Sequence, residues 1–116
     1  MLVVEGSRIT YKLSPLEKLG AFGNSPSADI SNVLSISREE NPWTRQVLRG
    51  TRAPGTGFPF LIMLGTMRHK GGKDFCVIYE RRPVLVLEFK NEKFSRWVIP
   101  ATAANEDALS KAKLTS

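Results

Sequence analysis

The chain has 116 residues, of which 41% are hydrophobic and 24% are charged, and it is expected to form one domain over residues 1–116 rather than a disordered chain. Its one cysteine excludes an internal disulfide framework and is typical of a reducing, cytoplasmic setting. With only one histidine as well, a protein-only zinc site is not expected, and no cofactor is predicted. The N-terminus, Met-Leu-Val-Val-Glu, lacks the pattern of a signal peptide, and no apolar run approaches the ~20 residues that span a bilayer.

The positive charge is concentrated in one segment. The formal net charge is +6, and residues 45–82 carry all of it, because only Asp74 and Glu80 oppose the basic side chains there. Such a segment either attracts phosphates, anionic lipid or an acidic partner, or consists of solvated charges that protect strand edges from pairing. Its basic residues are Arg45, Arg49, Arg52, Arg68, Lys70, Lys73, Arg81 and Arg82.

Short alternating segments predict strands in the first part of the chain, with one short helix among them. Residues 3–13 alternate on either side of Gly6, as a strand or a bent hairpin does. Ser14, Pro15 and Glu17 then predict the start of a helix, with serine as the cap. Residues 24–27 are predicted to form a loop, and the alternation around Leu34 predicts the next strand.

The middle of the chain is rich in glycine, since six of the nine glycines lie between residues 50 and 72. This density predicts tight turns and strand bends. Phe60 to Leu64 is predicted to be a buried strand, and Lys70-Gly71-Gly72-Lys73 a hairpin tip. Further strands are expected at 75–79, 84–89 and 94–99, separated by turns at 81–83 and 91–93.

The end of the chain changes to a helical pattern. Either Thr102 or Asn105 is predicted to cap a helix with acidic residues in its first turn and Lys111 and Lys113 in its last, an order that complements the helix dipole. Its narrow apolar stripe suits packing against a sheet. The sequence therefore predicts a mainly β (α+β) fold with a C-terminal helix.

The most distinctive part of the sequence runs from Asn41 to Pro59. It reads Asn41-Pro42-Trp43, then Arg49-Gly50-Thr51-Arg52-Ala53-Pro54-Gly55-Thr56-Gly57-Phe58-Pro59. Later come Gly65-Thr66, Gly71-Gly72-Lys73-Asp74-Phe75, Arg82-Pro83 and Leu87-Glu88. Together these motifs resemble a bacterial and archaeal group of small domains with the pleckstrin-homology-like fold, over nearly the whole chain. The resemblance implies a bent antiparallel roll of about seven strands, closed at one open end by the C-terminal helix.

The resemblance implies little about function. Members of this group are mostly uncharacterised, and the fold elsewhere serves lipid binding, peptide binding and oligomerisation. The basic first hairpin that many eukaryotic relatives use for phosphoinositides is not matched, because the first two strands offer only Arg8 and Lys12. No lipid site is therefore carried over from the family.

The sequence predicts neither a catalytic nor a metal site, and the chain is not expected to be an enzyme. Gly55-Thr56-Gly57 lacks the lysine and the helix of a Walker loop and is interpreted as a strand bend. His69, beside a turn, is predicted to be exposed, and Cys76 to be a small buried side chain. Trp97 is assigned to the core. Trp43 is either an exposed recognition residue or packs over the end of the roll with Pro54, and the packing interpretation is preferred.

The leading hypothesis is a non-catalytic binding or assembly module. Its candidate partner-binding residues are Trp43, Arg45, Arg49 and Arg52. The alternative is peripheral binding of an anionic membrane or a phosphate ligand, with two neighbouring hairpin turns gathering five basic residues at one end of the roll: Arg68, Lys70, Lys73, Arg81 and Arg82. Nucleic-acid binding is disfavoured, because the basic residues are not interleaved with an aromatic platform.

Self-association is a further expectation. Val84 to Phe89 has no charge before Glu88, and Phe60 to Leu64 has none. If either strand lies at a sheet edge, its unpaired backbone groups offer a template for a second copy of the chain. If both are central strands, the protein is a monomer.

Overall fold

The computed structural model describes residues 1–21, 25–58 and 61–112, which form nine β-strands in two sheets and two α-helices. The predicted class, mainly β with a C-terminal helix, is confirmed, although nine strands are present where about seven were expected. The helices are α1 (Pro15–Ala21) and α2 (Ala103–Lys111). The strands are β1 (Leu2–Glu5), β2 (Arg8–Tyr11), β3 (Ser27–Asp29), β4 (Val33–Glu39), β5 (Thr51–Phe58), β6 (Ile62–His69), β7 (Gly72–Tyr79), β8 (Val84–Phe89) and β9 (Arg96–Pro100).

The larger sheet has the strand order β4-β8-β9-β7-β6-β5. Strands β5, β6 and β7 form an antiparallel meander, and the β8–β9 hairpin lies between β7 and β4. Because the chain reverses twice between β7 and β9, these neighbouring strands run parallel. The expected roll was antiparallel throughout, so this pair is a departure from it.

The loops of the larger sheet are divided between two ends. One end, here called the upper end, carries the Lys70–Gly71 turn and loop 90–95, because β7 and β9 both begin there. The opposite, lower end carries Leu61 and turn 80–83. The eight residues of β7 separate the two ends by about 25 Å, at about 3.3 Å per residue.

Both faces of the larger sheet are covered. On one face, the three-stranded sheet β1-β2-β3 and α2 enclose a core that includes Ile9, Phe75 and Trp97. On the other face, the connection 40–50 crosses the sheet and places Val47 against Cys76 and neighbouring strand residues. The predictions that Trp97 lies in the core and that Cys76 is buried are confirmed.

Both helices begin at capped residues. In α1, the Ser14 N–H donates to Glu17 Oε1 at 2.9 Å and the Glu17 N–H donates to Ser14 Oγ at 3.2 Å, which confirms the predicted capping box. In α2, Thr102 is the cap, and its Oγ1 accepts from the Asn105 N–H at 3.1 Å. Neither helix is long and apolar enough to cross a membrane, among the residues described.

Two local predictions need correction. Ser27 does not belong to a loop but begins β3, because β2 needs a backbone partner and Ala28 fills the core beside Ile9. The strand predicted to start at Phe60 starts at Ile62, and Leu61 is an exposed turn residue. Residues Phe60 and Lys113 lie outside the described part of the chain.

Of the two alternatives left open for the apolar strands, edge or central, the structure shows the central one. Strand β6 is paired on both sides by β5 and β7, and β8 is paired by β4 and β9. Neither Val84 to Phe89 nor the described part of Phe60 to Leu64 therefore offers an edge to a second copy. The edges of the larger sheet are β4 and β5 instead.

Candidate functional site

A buried carboxylate organises the upper end of the sheet. Asp74 begins the buried part of β7 and is fully buried. Arg49 holds it with two hydrogen bonds, from Nε to Oδ2 at 2.8 Å and from Nη2 to Oδ1 at 2.7 Å. Arg96 approaches the same carboxylate at 3.4 Å and donates to the carbonyls of Gln46 and Val47. The network thus ties the connection 40–50 to strands β7 and β9.

The charge of Asp74 is stabilised by these partners. Burial by itself would raise the pKa of Asp74, but the hydrogen bonds from Arg49 and His69 and the positive charges of Arg49 and Arg96 hold this pKa below its usual value. Since two guanidinium groups surround one carboxylate, the formal charge of these three side chains is still positive. Together, Asp74, Arg49 and Arg96 therefore add a formal charge of +1 to the upper end.

His69 also belongs to this network, which corrects the prediction of an exposed turn residue. Its Nε2 lies 3.0 Å from Asp74 Oδ1, and its Nδ1 accepts from the Gly71 N–H at 3.2 Å. The neutral tautomer that carries its proton on Nε2 satisfies both bonds. Because both ring nitrogens are engaged inside the protein, His69 acts as a structural side chain here.

The thiol of Cys76 is enclosed by the protein. Cys76 is fully buried, and burial followed by the nearby charge of Asp74 raises the pKa of its thiol. Within residues 1–21, 25–58 and 61–112, no three His, Cys, Asp or Glu side chains come together to hold a metal ion. Gly55-Thr56-Gly57 lies within strand β5, next to a register shift between Arg52 and Gly55, as a strand bend predicts.

Two lysine side chains lie beside one aromatic ring at the upper end, and two more basic residues belong to the adjoining β6–β7 hairpin. The Nζ of Lys73 lies 5.3 Å from the centroid of the Phe94 ring, and the Nζ of Lys93 lies 5.6 Å from it. Arg68 lies directly opposite Lys73 in the β6–β7 pair, and Lys70 occupies the adjoining turn. We call this set the basic edge: Arg68, Lys70, Lys73 and Lys93.

The basic edge is built by contact between two loops. The Ser95 N–H donates to the Lys73 carbonyl at 2.7 Å, which joins loop 90–95 to the start of β7. At Gly72, whose φ is +138°, an added Cβ would stand only 2.6 Å from Ser95 Oγ. Glycine at this position therefore lets the hairpin tip approach loop 90–95 closely.

Two carboxylates at the upper end, those of Asp74 and Glu92, have partners within the protein. Asp74 is held by Arg49, His69 and Arg96. Glu92 accepts from the Asp29 N–H at 3.1 Å and from Asn32 Nδ2 at 2.6 Å. These bonds engage both carboxylates within the protein, whereas Glu88 at the same end is exposed and accepts from Ser35 Oγ at 2.8 Å.

The predicted group of five basic residues is divided by the structure. Arg68, Lys70 and Lys73 lie at the upper end, but Arg81 and Arg82 lie in turn 80–83 at the lower end. The physical reason is that successive turns of a meander fall at opposite ends of the strand between them. The prediction that two neighbouring turns gather all five residues at one end is therefore wrong.

The predicted partner-binding residues are also dispersed. Trp43 is half-buried and packs against the core that contains Val47 and Cys76. Its Nε1 donates to the Glu80 carbonyl. Both observations agree with the packing interpretation. Arg49 binds Asp74 inside the protein, whereas Arg45 is exposed on the connection 40–50. The side chains of Arg52 and Pro54 lie outside the described part of the structure.

Sequence reasoning missed Lys93 and Phe94 as parts of the site. They were assigned to a turn and a strand start, and nothing local in the sequence relates them to Lys73. The parallel pairing of β7 with β9 creates this contact, since it places loop 90–95 beside the hairpin tip.

A cavity of about 580 Å³ opens at the lower end, between turn 80–83 and the start of α2. Two of its polar lining residues already have internal partners. Asn105 accepts from the Leu2 N–H at 2.9 Å and donates to the Pro100 carbonyl at 2.8 Å, and the Tyr79 hydroxyl donates to Glu17. The remaining lining is largely apolar and includes Pro83, Val84 and Pro100.

Comparison of the chain with known protein families, with curated proteins and with solved structures finds no match.

Proposed function

We propose that this chain is a non-catalytic binding module whose basic edge holds a multivalent, phosphate-bearing anion. The observation that carries the proposal is that Lys73 of the β6–β7 hairpin and Lys93 of loop 90–95 meet at the Phe94 ring, with Arg68 and Lys70 in the same hairpin. Phosphate oxygens accept charge-assisted hydrogen bonds from lysine and arginine, which makes such ligands the natural counterpart of this surface.

The two lysines at the Phe94 ring bring like charges close together. Like charges repel, and this repulsion is reduced when an anion lies between them. A ligand with several negative charges would interact favourably with both lysines at once.

The non-catalytic part of the proposal rests on how the reactive side chains are used. Both ring nitrogens of His69 are hydrogen-bonded within the protein, Nε2 to Asp74 and Nδ1 to the Gly71 N–H. Cys76 lies in the core with a raised thiol pKa. Both residues serve the fold, and the four side chains of the basic edge offer electrostatic recognition of an anion.

The proposal is tested by titrating the full chain with inorganic tripolyphosphate in a calorimeter. The Lys70→Gln, Lys93→Gln double variant is expected to bind roughly tenfold more weakly, because it loses charge-assisted bonds to the ligand. Binding by the unaltered chain should also weaken as salt is added.

The matched control removes two positive charges from the lower end instead, in the Arg81→Gln, Arg82→Gln double variant. This control should keep nearly the full affinity. Equal weakening in the two double variants would show that only net charge matters, and it would overturn the proposed site. An absence of tripolyphosphate binding by the unaltered chain would overturn the proposal outright.

A further inference from the structure

We propose that the lower end of the molecule docks on an anionic lipid bilayer, with Leu61 and Phe58 entering the interface and Arg81 and Arg82 meeting lipid phosphates. This surface is distinct from the basic edge, which lies at the opposite end of β7. The two proposals therefore stand or fall separately.

The lower end exposes large apolar side chains. Leu61 is 64% exposed and Phe58 is 59% exposed, and the outer side of α1 adds Leu16 at 80% and Leu19 at 71%. Single exposed apolar residues are ordinary, but a group of them on neighbouring elements marks an interaction surface.

Backbone and side-chain contacts hold these elements together. The Glu80 N–H donates to the Leu61 carbonyl at 2.8 Å, so the turn that carries the arginines adjoins the turn that carries Leu61. Phe58 lies directly opposite Ile62, which places it on the same face of the sheet as α1. Helix α1 is fixed there by the bond from Thr56 Oγ1 to the Gly20 carbonyl at 2.7 Å.

Three exposed basic side chains and two acidic ones, Glu17 and Glu80, surround the apolar group. Arg81, Arg82 and Lys18 are exposed. Glu17 is occupied by the Ser14 amide and the Tyr79 hydroxyl. Glu80 pairs with Arg82 at 3.7 Å in an exposed geometry that salt and water screen. Apolar side chains next to basic ones suit an anionic membrane surface, where the acyl chains accept the apolar groups and the headgroups attract the basic ones.

Charge complementarity selects a bilayer over a second copy of the chain. A symmetric dimer pairs the same patch on both subunits, so it would bring together two patches that each carry more cations (Arg81, Arg82 and Lys18) than carboxylates (Glu17 and Glu80). Anionic headgroups instead satisfy the arginines while the acyl region accepts Leu61 and Phe58. Electrostatic attraction and apolar burial would then both favour binding of the lower end to the bilayer.

The test is co-sedimentation of the full chain with vesicles of phosphatidylcholine alone and of phosphatidylcholine mixed with phosphatidylserine. Binding is expected only to the mixed vesicles. Leu61→Ser should weaken it roughly tenfold, since burial of one leucine side chain is lost. Leu34→Ser is the matched control, because Leu34 is 61% exposed but lies on β4, remote from this surface. Both leucines are exposed, so neither variant should change the unfolding midpoint.

The electrostatic half of the proposal is tested with the same two double variants as above. Arg81→Gln with Arg82→Gln should reduce binding to the mixed vesicles and its sensitivity to salt, whereas Lys70→Gln with Lys93→Gln should not. Equal losses from Leu61→Ser and Leu34→Ser, or equal binding to both vesicle types, would overturn the proposal. So would a larger loss from the lysine pair, or a dimer in sedimentation that Leu61→Ser dissociates.

Discussion

Asp74 is the single residue on which the upper end of the sheet depends. It is the shared acceptor of Arg49, His69 and Arg96, and these partners come from three different parts of the chain. Replacing it removes the negative charge but leaves Arg96 buried, and an uncompensated buried charge is strongly unfavourable.

Asp74→Asn is therefore expected to lower the free energy of unfolding by about 3 kcal/mol, measured by urea denaturation at neutral pH. The control is Asp107→Asn, which breaks an exposed pair with Lys111 within one helix. That variant should stay within about 0.5 kcal/mol of the unaltered chain. A loss for Asp74→Asn as small as that of the control would show that the network does not stabilise the fold.

The pH dependence of stability follows from the same residue. The pKa of Asp74 is lower in the folded chain than its usual value, so the folded state binds this proton less readily than the unfolded state does. Its stabilising contribution is complete above the unfolded value of about 3.9 and is lost as the pH falls through the folded value. Urea unfolding at neutral and at acidic pH should show a smaller acid-induced loss for Asp74→Asn than for the unaltered chain. Parallel acid profiles for the two proteins would contradict this assignment.

The role of His69 shows why sequence patterns miss such a network. The histidine lies between Arg68 and Lys70 beside a turn, and its neighbours alone predict exposure. Its position is decided by Asp74 across the hairpin and by arginines that lie before β5 and in β9. A network assembled from three chain segments has no local signature.

At the scale of elements, local features were predictable and long-range pairings were not. The Ser14–Glu17 capping box, the Lys70–Gly71 turn and strand β8 each depend on neighbouring residues, and the structure contains all three. Strand β3 and the parallel β7–β9 pair depend on where distant segments meet. The composition of the basic edge depends on that parallel pair, so it could not be predicted either.

The junction between the connection 40–50 and β5 provides a prediction at this scale. Gly50 has φ +79°, and an added Cβ would stand 1.9 Å from the Arg68 carbonyl oxygen. Gly50→Ala therefore combines left-handed strain with a backbone overlap, and it should lower the free energy of unfolding by about 3 kcal/mol or more.

Gly6→Ala separates the two effects. Gly6 has φ +59°, but nothing lies within 4 Å of an added Cβ. Gly6→Ala should therefore introduce only the backbone strain. It should lower the free energy of unfolding by about 1 kcal/mol, measured by thermal or urea unfolding. Similar losses at both positions would show that the close approach of β6 to Gly50 is not required.

At the scale of the whole molecule, the sheet topology bears on self-association. The two apolar strands that could have been edges are central, and the actual edge strands carry their own protection: β4 ends in Arg38 and Glu39, and β5 contains Pro54 and a register shift. We therefore expect sedimentation velocity to give the mass of one 12.9 kDa chain at low and at high concentration. A defined larger species would restore the assembly hypothesis and would direct attention to β4, β5 or the lower end.

The two ends of the molecule also differ in chemistry, because the basic edge is almost purely charged while the lower end combines arginines with exposed apolar side chains.

The most direct test of the proposed function is a backbone-amide NMR titration of the isotope-labelled chain with tripolyphosphate. We predict that the largest shifts fall at residues 68–73 and 93–95, and that residues 80–83 stay nearly unchanged. Shifts centred on residues 80–83, or small shifts spread evenly over the chain, would contradict the assignment of the basic edge as the ligand site.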